Sequence, residues 1–202
     1  VGDVLNSGSE DRSALRQRLK KLRRAVPPAQ RRAAAIAVAQ QIRRHCNLHP
    51  GLRIAVYAPL PSELDTTPLI RLARLHRCHI YLPRLTDLRR RRMQFIEAAG
   101  PMRRNRLGIL EPIALRALST RRLDLVFLPL VGFDAAGMRL GMGAGYYDRA
   151  FAYLRERRHW THPRLIGLGY SFQQVPHIEG ARHDVRMSAV ITEKGVIKCS
   201  TG

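Results

Sequence analysis

The chain has 202 residues, a length that suits one domain. Apolar residues make up 45%, charged residues 25% and aromatics only 6%, the mix of a globular protein with an aliphatic core. That composition excludes an acidic disordered chain, a collagen-like repeat and a disulfide scaffold. Lys and Arg number 36 against 15 Asp and Glu, a formal net charge of +21.

Only Lys20, Lys21, Lys194 and Lys198 are lysines; the other basic residues are arginines. Runs occur at Arg16 to Arg24, Arg89 to Arg92 and Arg103 to Arg106, scattered along the chain and without interleaved aromatics for base stacking. They read as a solvated basic surface, or as a field that steers polyanionic small molecules, with a nucleic-acid partner as the alternative. No apolar stretch approaches the length of a membrane span, and VGDVLNSGSEDR has no apolar core of a signal peptide. The expectation is a cytoplasmic monomer with no membrane partner. Cys46, Cys78 and Cys199 are odd in number and far apart, so reduced thiols are expected. His45, Cys46 and His49, His76-x-x-His79 and His159-x-x-His162 lack a CxxC or HExxH companion and read as helix-end or surface residues.

Residues 1–11 read as a mobile tail and 197–202 as a C-terminal tail, with one domain over 12–196. From Arg12 to Val26, Leu15, Leu19, Leu22 and Val26 form one apolar stripe of a helix, and Pro27-Pro28 stops it. A second helix spans about Ala29 to His45. The period then changes: Leu52 to Tyr57 is a short buried strand, Asp65 or Thr66 caps a helix over Thr67 to Leu75, and Cys78 to Leu82 is another strand. Residues 84–106 are Arg-rich and irregular apart from MQFIEA, an edge hairpin. Leu123 to Val131 is the most apolar run and the central strand. A helix from Tyr146 to about Arg157 follows, then strands at Arg164 to Tyr170 and, last, Ser188 to Thr192. Alternating helices and near-continuous apolar strands predict a single three-layer α/β domain, its sheet mostly parallel and covered by helices on both faces.

The most informative segment is Gly132 to Asp148, GFDAAGMRLGMGAGYYD, between the central strand and a helix. Gly141, Gly143 and Gly145 alternate, so the backbone can approach a ligand closely, and successive N–H groups there can form an anion site. Arg139 can add a bidentate phosphate contact, and Asp148 is in reach of a magnesium ion bridging carboxylate and phosphate. The plainer reading is a tight glycine turn, with Asp148 complementing the helix start. The loop is neither a Walker A motif nor the GxGxxG dinucleotide fingerprint.

RLGMGAGYYDR resembles the signature of the 5-formyltetrahydrofolate cyclo-ligase family. The likeness runs from about Arg12 to Thr192 and includes Leu15-Arg16, YAPLPSELDTTPLI (Tyr57 to Ile70), LPR (Leu82 to Arg84), GILEP (Gly108 to Pro112), GLGYSFQ (Gly167 to Gln173) and His183-Asp184. The resemblance implies ATP-dependent closure of 5-formyltetrahydrofolate to 5,10-methenyltetrahydrofolate, with ADP and phosphate released and Mg²⁺ required. It implies ATP contacts at Arg12, Arg16, Arg139, Leu140, Gly141, Met142, Gly143, Ala144, Gly145, Tyr146 and Tyr147. Reduced folate, with a mono- or polyglutamate tail, would meet Ala58, Glu63, Met142, Gly143, Ala144, Gly145 and Tyr146. Arg139, Tyr146 and Asp148 would be the catalytic set, Asp148 and Asp184 the metal-side carboxylates, and Gln173 a nearby polar contact. The chain departs from the family pattern at Arg12, usually lysine, at Ala144, often Gly or Lys, and at Leu107, aromatic in some members.

Overall fold

Apart from Arg53 and Asp124 near their starts, Leu52 to Tyr57 and Leu123 to Val131 are apolar on both alternating sets of side chains, and this suits strands covered on two faces. In the computed structural model, which describes residues 11–106, 108–114, 116–156 and 162–199, the two segments lie side by side within one eight-stranded sheet.

In chain order the elements are α1 (Arg12–Ala25), α2 (Pro28–His45), β1 (Arg53–Ala55), α3 (Thr67–Leu75), β2 (His79–Asp87), β3 (Arg92–Glu97), β4 (Met102–Arg104), β5 (Leu110–Pro112), β6 (Ala117–Leu118), β7 (Leu125–Pro129), β8 (Gly132–Phe133), β9 (Arg139–Leu140), α4 (Tyr146–Ala150), β10 (Arg164–Leu168), β11 (Ala189–Thr192) and β12 (Gly195–Lys198). The sheet order is β12-β11-β10-β7-β1-β2-β3-β6. The five strands from β11 to β2 are parallel; β12, β3 and β6 run antiparallel to their neighbours.

Successive residues of the central strands enter different cores. Ile54, Phe127 and Ile166 join Val38, Ile42 and Leu69 beneath α2 and α3. Ala55, Val126 and Leu165 join Phe95, Phe151 and Leu154 on the opposite face. Each such Val, Leu, Ile or Phe side chain contributes about 1.5–3 kcal/mol relative to exposure. A third cluster docks α1, through Leu15 and Leu19, onto Val131, Met138, Leu140, Val175 and Ile178. The chain therefore has the expected three-layer α/β fold.

Several boundaries differ from expectation. Pro28 opens α2 as its first residue, where the missing N–H costs nothing, while Pro27 precedes the helix. Thr66 holds the cap position of α3 but donates its hydroxyl to the Tyr57 carbonyl, while the preceding Asp65 accepts the Thr67 N–H on Oδ1 at 2.9 Å. The helix expected over Tyr146 to Arg157 ends at Ala150, because the fully buried Phe151 turns inward to Phe95, and a 3₁₀ turn follows over Ala152–Glu156. MQFIEA lies in β3, opposite β2 and half-covered by β6. The sheet continues past the expected last strand: Ile197 and Lys198, assigned to a tail, pair with Val190 and Ala189 in β12. On α1 the buried row is Leu15, Leu19 and Arg23, while Leu22 is 46% exposed. Residues 1–10, Leu107 and His159 lie outside the described residues.

The chain passes from β1 to β2 on one side and returns to β7 on the other, so strand order reverses between β1 and β7. Open α/β sheets bind ligands in the crevice beyond the carboxyl ends of such a strand pair. Two of the motifs singled out above leave from this point, Tyr57 to Glu63 after β1 and Gly132 to Asp148 after β7.

The β8–β9 turn depends on Gly137. Its φ is +83°, and a Cβ there would come 2.5 Å from the Met187 carbonyl and 2.9 Å from Cys199 Cβ. Gly137→Ala is expected to cost about 2–4 kcal/mol, the sum of overpacking and left-handed backbone strain. Urea unfolding measures it; a loss below ~0.5 kcal/mol contradicts this packing.

Candidate active site

β9 delivers the chain into the glycine bend with two buried residues, Arg139 and Leu140. Gly143 has φ +100° and Gly145 φ +68°, conformations that a Cβ disfavours. A Cβ built on Gly141 or Gly143 meets nothing within 4 Å, so open space rather than neighbouring protein lies over the bend. Its carbonyls are held from three elements. Arg16 Nε on α1 donates to Gly141 at 2.9 Å, Arg91 from the β2–β3 turn to Ala144 at 3.3 Å, and Arg149 on α4 to Ala144 at 3.2 Å. Among the described residues, no backbone carbonyl accepts from the N–H groups of residues 142–145. The five-residue α4 is too short to supply much of a macrodipole, so any anion at the bend would be drawn by these amides and by the guanidinium groups.

Two arginine–aspartate pairs flank the bend. Arg139, 7% exposed, donates to Asp148 Oδ1 at 2.6 Å and to the Val185 carbonyl at 2.8 Å. The Val185 N–H also reaches Asp148 Oδ1, at 3.2 Å. Arg12 donates to Asp184 Oδ2 at 2.9 Å and to the Glu179 carbonyl, and the Ala181 N–H donates to the same Asp184 oxygen. Burial pushes the Asp184 carboxyl up, but the Ala181 N–H and Arg12 outweigh it and hold it below the ordinary range. Each expected phosphate-binding guanidinium in these pairs thus meets an expected metal-side carboxylate.

The β1 side contributes a buried polar nest. Glu63, 8% exposed, accepts the Leu60 N–H on Oε2 at 3.0 Å. Arg23 Nη1 stands 3.9 Å from Glu63 Oε1 and donates to the Leu130 carbonyl at 3.1 Å. Burial raises the Glu63 carboxyl, with the Leu60 N–H and Arg23 pulling the other way. Burial and the Glu63 charge also raise Tyr57 and Tyr147. Tyr147 is electrostatically coupled to both Glu63 and Arg139, so it joins the nest to the glycine bend.

Of the other expected site residues, Ala58 is half-buried at the exit of β1, Met142 is 47% exposed on the bend, and Tyr146 is half-buried at the start of α4. Gln173 spends its amide on backbone: Oε1 accepts from Tyr170 N–H and Nε2 donates to the Leu130 and Val131 carbonyls. It fits a latch on the exit of β7 better than a ligand contact. Asp134 latches likewise, accepting from the Met138 and Ile178 N–H groups. Arg23 and Arg91 were absent from the expected set. Arg23 carries a signal, since it extends the i, i+4 row of Leu15 and Leu19; Arg91 sits at a turn with φ +53° and carries none.

Among the described residues no group of three His, Cys, Asp or Glu could by itself hold a metal ion. Magnesium commonly takes one or two carboxylates and completes its shell with phosphates and water. Asp148 fits that pattern, because both of its hydrogen bonds fall on Oδ1.

Residues 8–193 match the sequence model of the 5-formyltetrahydrofolate cyclo-ligase family. A 5-formyltetrahydrofolate cyclo-ligase from Haemophilus influenzae is 30% identical over 189 residues, covering 91% of this chain and 98% of its own. One from Escherichia coli strain K12 is 31% identical over 184 residues, covering 88% and 98%. The solved structure of Aquifex aeolicus 5,10-methenyltetrahydrofolate synthetase superposes with a TM-score of 0.78 at 25% identity, covering 95% of this chain and 94% of that one. A Mycoplasma pneumoniae 5,10-methenyltetrahydrofolate synthetase, at TM-score 0.72 and 22% identity over 91% of this chain and 99% of its own, shares the fold.

The depressed Asp184 carboxyl makes a stability prediction. Its contribution is present above the unfolded carboxyl's pKa of about 3.9 and is lost as pH falls through the lower folded value. Asp184→Asn should lower stability at pH 7 and flatten the loss as pH falls below the unfolded carboxyl's pKa of about 3.9, read by denaturant unfolding at each pH. A variant whose acid slope equals that of the parent would show that the Arg12 pair adds nothing.

Proposed function

The chain belongs to the 5-formyltetrahydrofolate cyclo-ligase family of enzymes, and on that premise we propose that it closes 5-formyltetrahydrofolate to 5,10-methenyltetrahydrofolate with consumption of Mg-ATP and release of ADP and phosphate. The observation that carries this reading is the meeting, at the carboxyl ends of β1 and β7, of an open glycine bend, two arginine–aspartate pairs and a buried carboxylate.

The chemical need is plain. A formyl group on N5 is an amide, so its carbon is a poor electrophile and its oxygen a poor leaving group. ATP supplies the phosphoryl group that converts this oxygen into a phosphate leaving group. The protein's work is positioning and charge neutralisation. The amides of residues 142–145, with Arg16 and Arg139, would grip the triphosphate. Asp148 would offer Oδ2 to Mg²⁺, with Asp184 as the second carboxylate on that side. An incoming Mg-triphosphate alternates in sign as the two pairs do. Its phosphates can therefore take over the guanidinium groups while its cation takes over the carboxylates.

Glu63 lies across the crevice, where it would accept from the donor edge of the pterin, and Tyr146 would lie against the folate from the start of α4. Closure then needs the folate N10 within reach of the formyl carbon: the N10–carbon bond forms, the carbon–oxygen bond breaks as the oxygen departs with phosphate, and the N10 proton is released to solvent or to the leaving phosphate. A folate glutamate tail would find Arg103, Arg104 and Arg106, which line a cavity of about 470 Å³ with Leu85, Leu88, Asn105 and Glu111. At low ionic strength this cavity should give a polyglutamylated substrate a lower KM than the monoglutamate, and equal KM values would remove the cavity from the tail's path.

Asp148→Asn is the direct test of the metal side. Formation of the methenyl product, followed by its near-ultraviolet absorbance, should fall about 100-fold in kcat/KM for ATP, with far-ultraviolet circular dichroism unchanged. Wild-type kcat/KM in that variant would take Asp148 out of the magnesium role.

A further inference from the structure

Arg23 is 2% exposed, and among the described residues its Nε has no hydrogen-bond partner. It continues the buried row of Leu15 and Leu19 on α1, where packing alone would favour a third aliphatic residue. A buried cation is costly unless it is matched by an opposite charge. The acid that faces it is Glu63, and 3.9 Å is beyond hydrogen-bond length. The guanidinium therefore acts on Glu63 through its field and leaves the Oε1 lone pairs unspent, while the Leu60 N–H occupies Oε2.

We infer that Arg23 is a positioning residue for substrate binding: a buried counter-charge that keeps Glu63 an anion with one oxygen open to the donor edge of the pterin. This rests on the reading of Glu63 as the pterin acceptor. The hydrogen bond from Arg23 to the Leu130 carbonyl fixes the guanidinium at the exit of β7, so its distance to Glu63 is set by the sheet and not by a mobile side chain.

The groups around the pair are accounted for. Glu63 faces Arg23 from α1, Tyr57 from the exit of β1 and Tyr147 from α4. Arg23 is faced by Glu63, Tyr57, Tyr170 and its neighbour Arg24, with Lys20 on the preceding turn. Burial raises all three tyrosines above their ordinary range, so they stay neutral between pH 5 and 8. The tyrosines therefore keep one charge state through that window, and Glu63 is the acid of the nest whose carboxyl burial raises towards it. Burial favours its neutral form, and a neutral carboxyl presents one acceptor fewer to the pterin.

The experiment is steady-state KM for 5-formyltetrahydrofolate and for ATP between pH 5 and 8, in the wild type, Arg23→Met, Arg23→Lys and Glu63→Gln. In the wild type the folate KM should rise as pH falls, with a midpoint below pH 7. Arg23→Met should move the midpoint up by about one pH unit or more and leave the ATP KM within about twofold. Arg23→Lys should keep the midpoint near that of the wild type. A purely structural Arg23 would raise both KM values together without moving the midpoint, and that result overturns the inference.

Glu63→Gln separates the two levels of the argument. It should raise the folate KM at every pH and abolish the midpoint. An unchanged folate KM in this variant removes Glu63 from the pterin and the inference with it. A raised one, beside an unmoved midpoint in Arg23→Met, removes Arg23 alone. Should Arg23→Met fail to fold, the wild-type profile decides: a midpoint at or above pH 7, or one that persists in Glu63→Gln, contradicts a guanidinium that keeps Glu63 ionised.

Discussion

Two neighbouring parallel strands, β1 and β7, pair Ile54 with Leu125 and Ala55 with Val126, and after Arg53 at the first position of β1, which is matched to Asp124, every side chain in them is apolar. Polar chemistry is displaced to the strand ends. Because the order reverses between these two strands, their exits diverge and a crevice opens beyond the last ladder pair. The Tyr57–Glu63 segment and the glycine bend follow from that one topological event. Gln173 and Asp134 then hold the second exit in place, each bonded to two or more backbone groups.

Arginine does different work at different depths. On the surface the excess of cations makes a field, and individual pairs such as Arg90 with Asp87 contribute little, typically under ~1 kcal/mol. At the rim of the crevice Arg16, Arg91 and Arg149 hold the carbonyls of the bend, so the loop's shape is set by guanidinium groups from three elements. Also near the rim, the half-buried Arg12 is matched to Asp184; further in, Arg139 is matched to Asp148, and Arg23 is buried beside Glu63 at a distance that couples charge without making a hydrogen bond. Fork geometry and permanent charge make guanidinium suited to all three settings.

What could be read from the sequence divides along physical lines. Helix periodicity and unbroken apolar runs gave α1, α2, α3, β1, β7, β10 and β11, since these signals are local. The extent of β2, the β4–β5 hairpin and β12 could not be read, because their pairing partners are distant or their residues mixed: Gly195–Lys198 becomes a strand only by lying against β11. The helix after the bend came out short because Phe151 serves the core of the opposite face, a tertiary demand that periodicity does not encode. Within the site, Arg139, Asp148 and Glu63 stood out through residue type and motif. Arg23 did not, since a charged residue in a basic run looks solvated until its whole row is followed down the helix.

The bonds that α1 makes to the rim have a consequence for the order in which the molecule assembles. Arg16 binds a carbonyl 125 positions away and Arg12 a carboxylate 172 positions away, while Leu15 and Leu19 pack on Val131, Leu140 and Ile178. During synthesis α1 emerges before every surface it docks on, and at ribosomal speed it waits on the order of ten seconds or more for them. Loop closure over such separations is entropically late. The contacts of α1 with Val131, Leu140, Gly141, Ile178 and Asp184 are therefore among the last the chain can complete, and a chain in which α1 has not docked lacks the guanidinium groups of Arg12 and Arg16 at the rim.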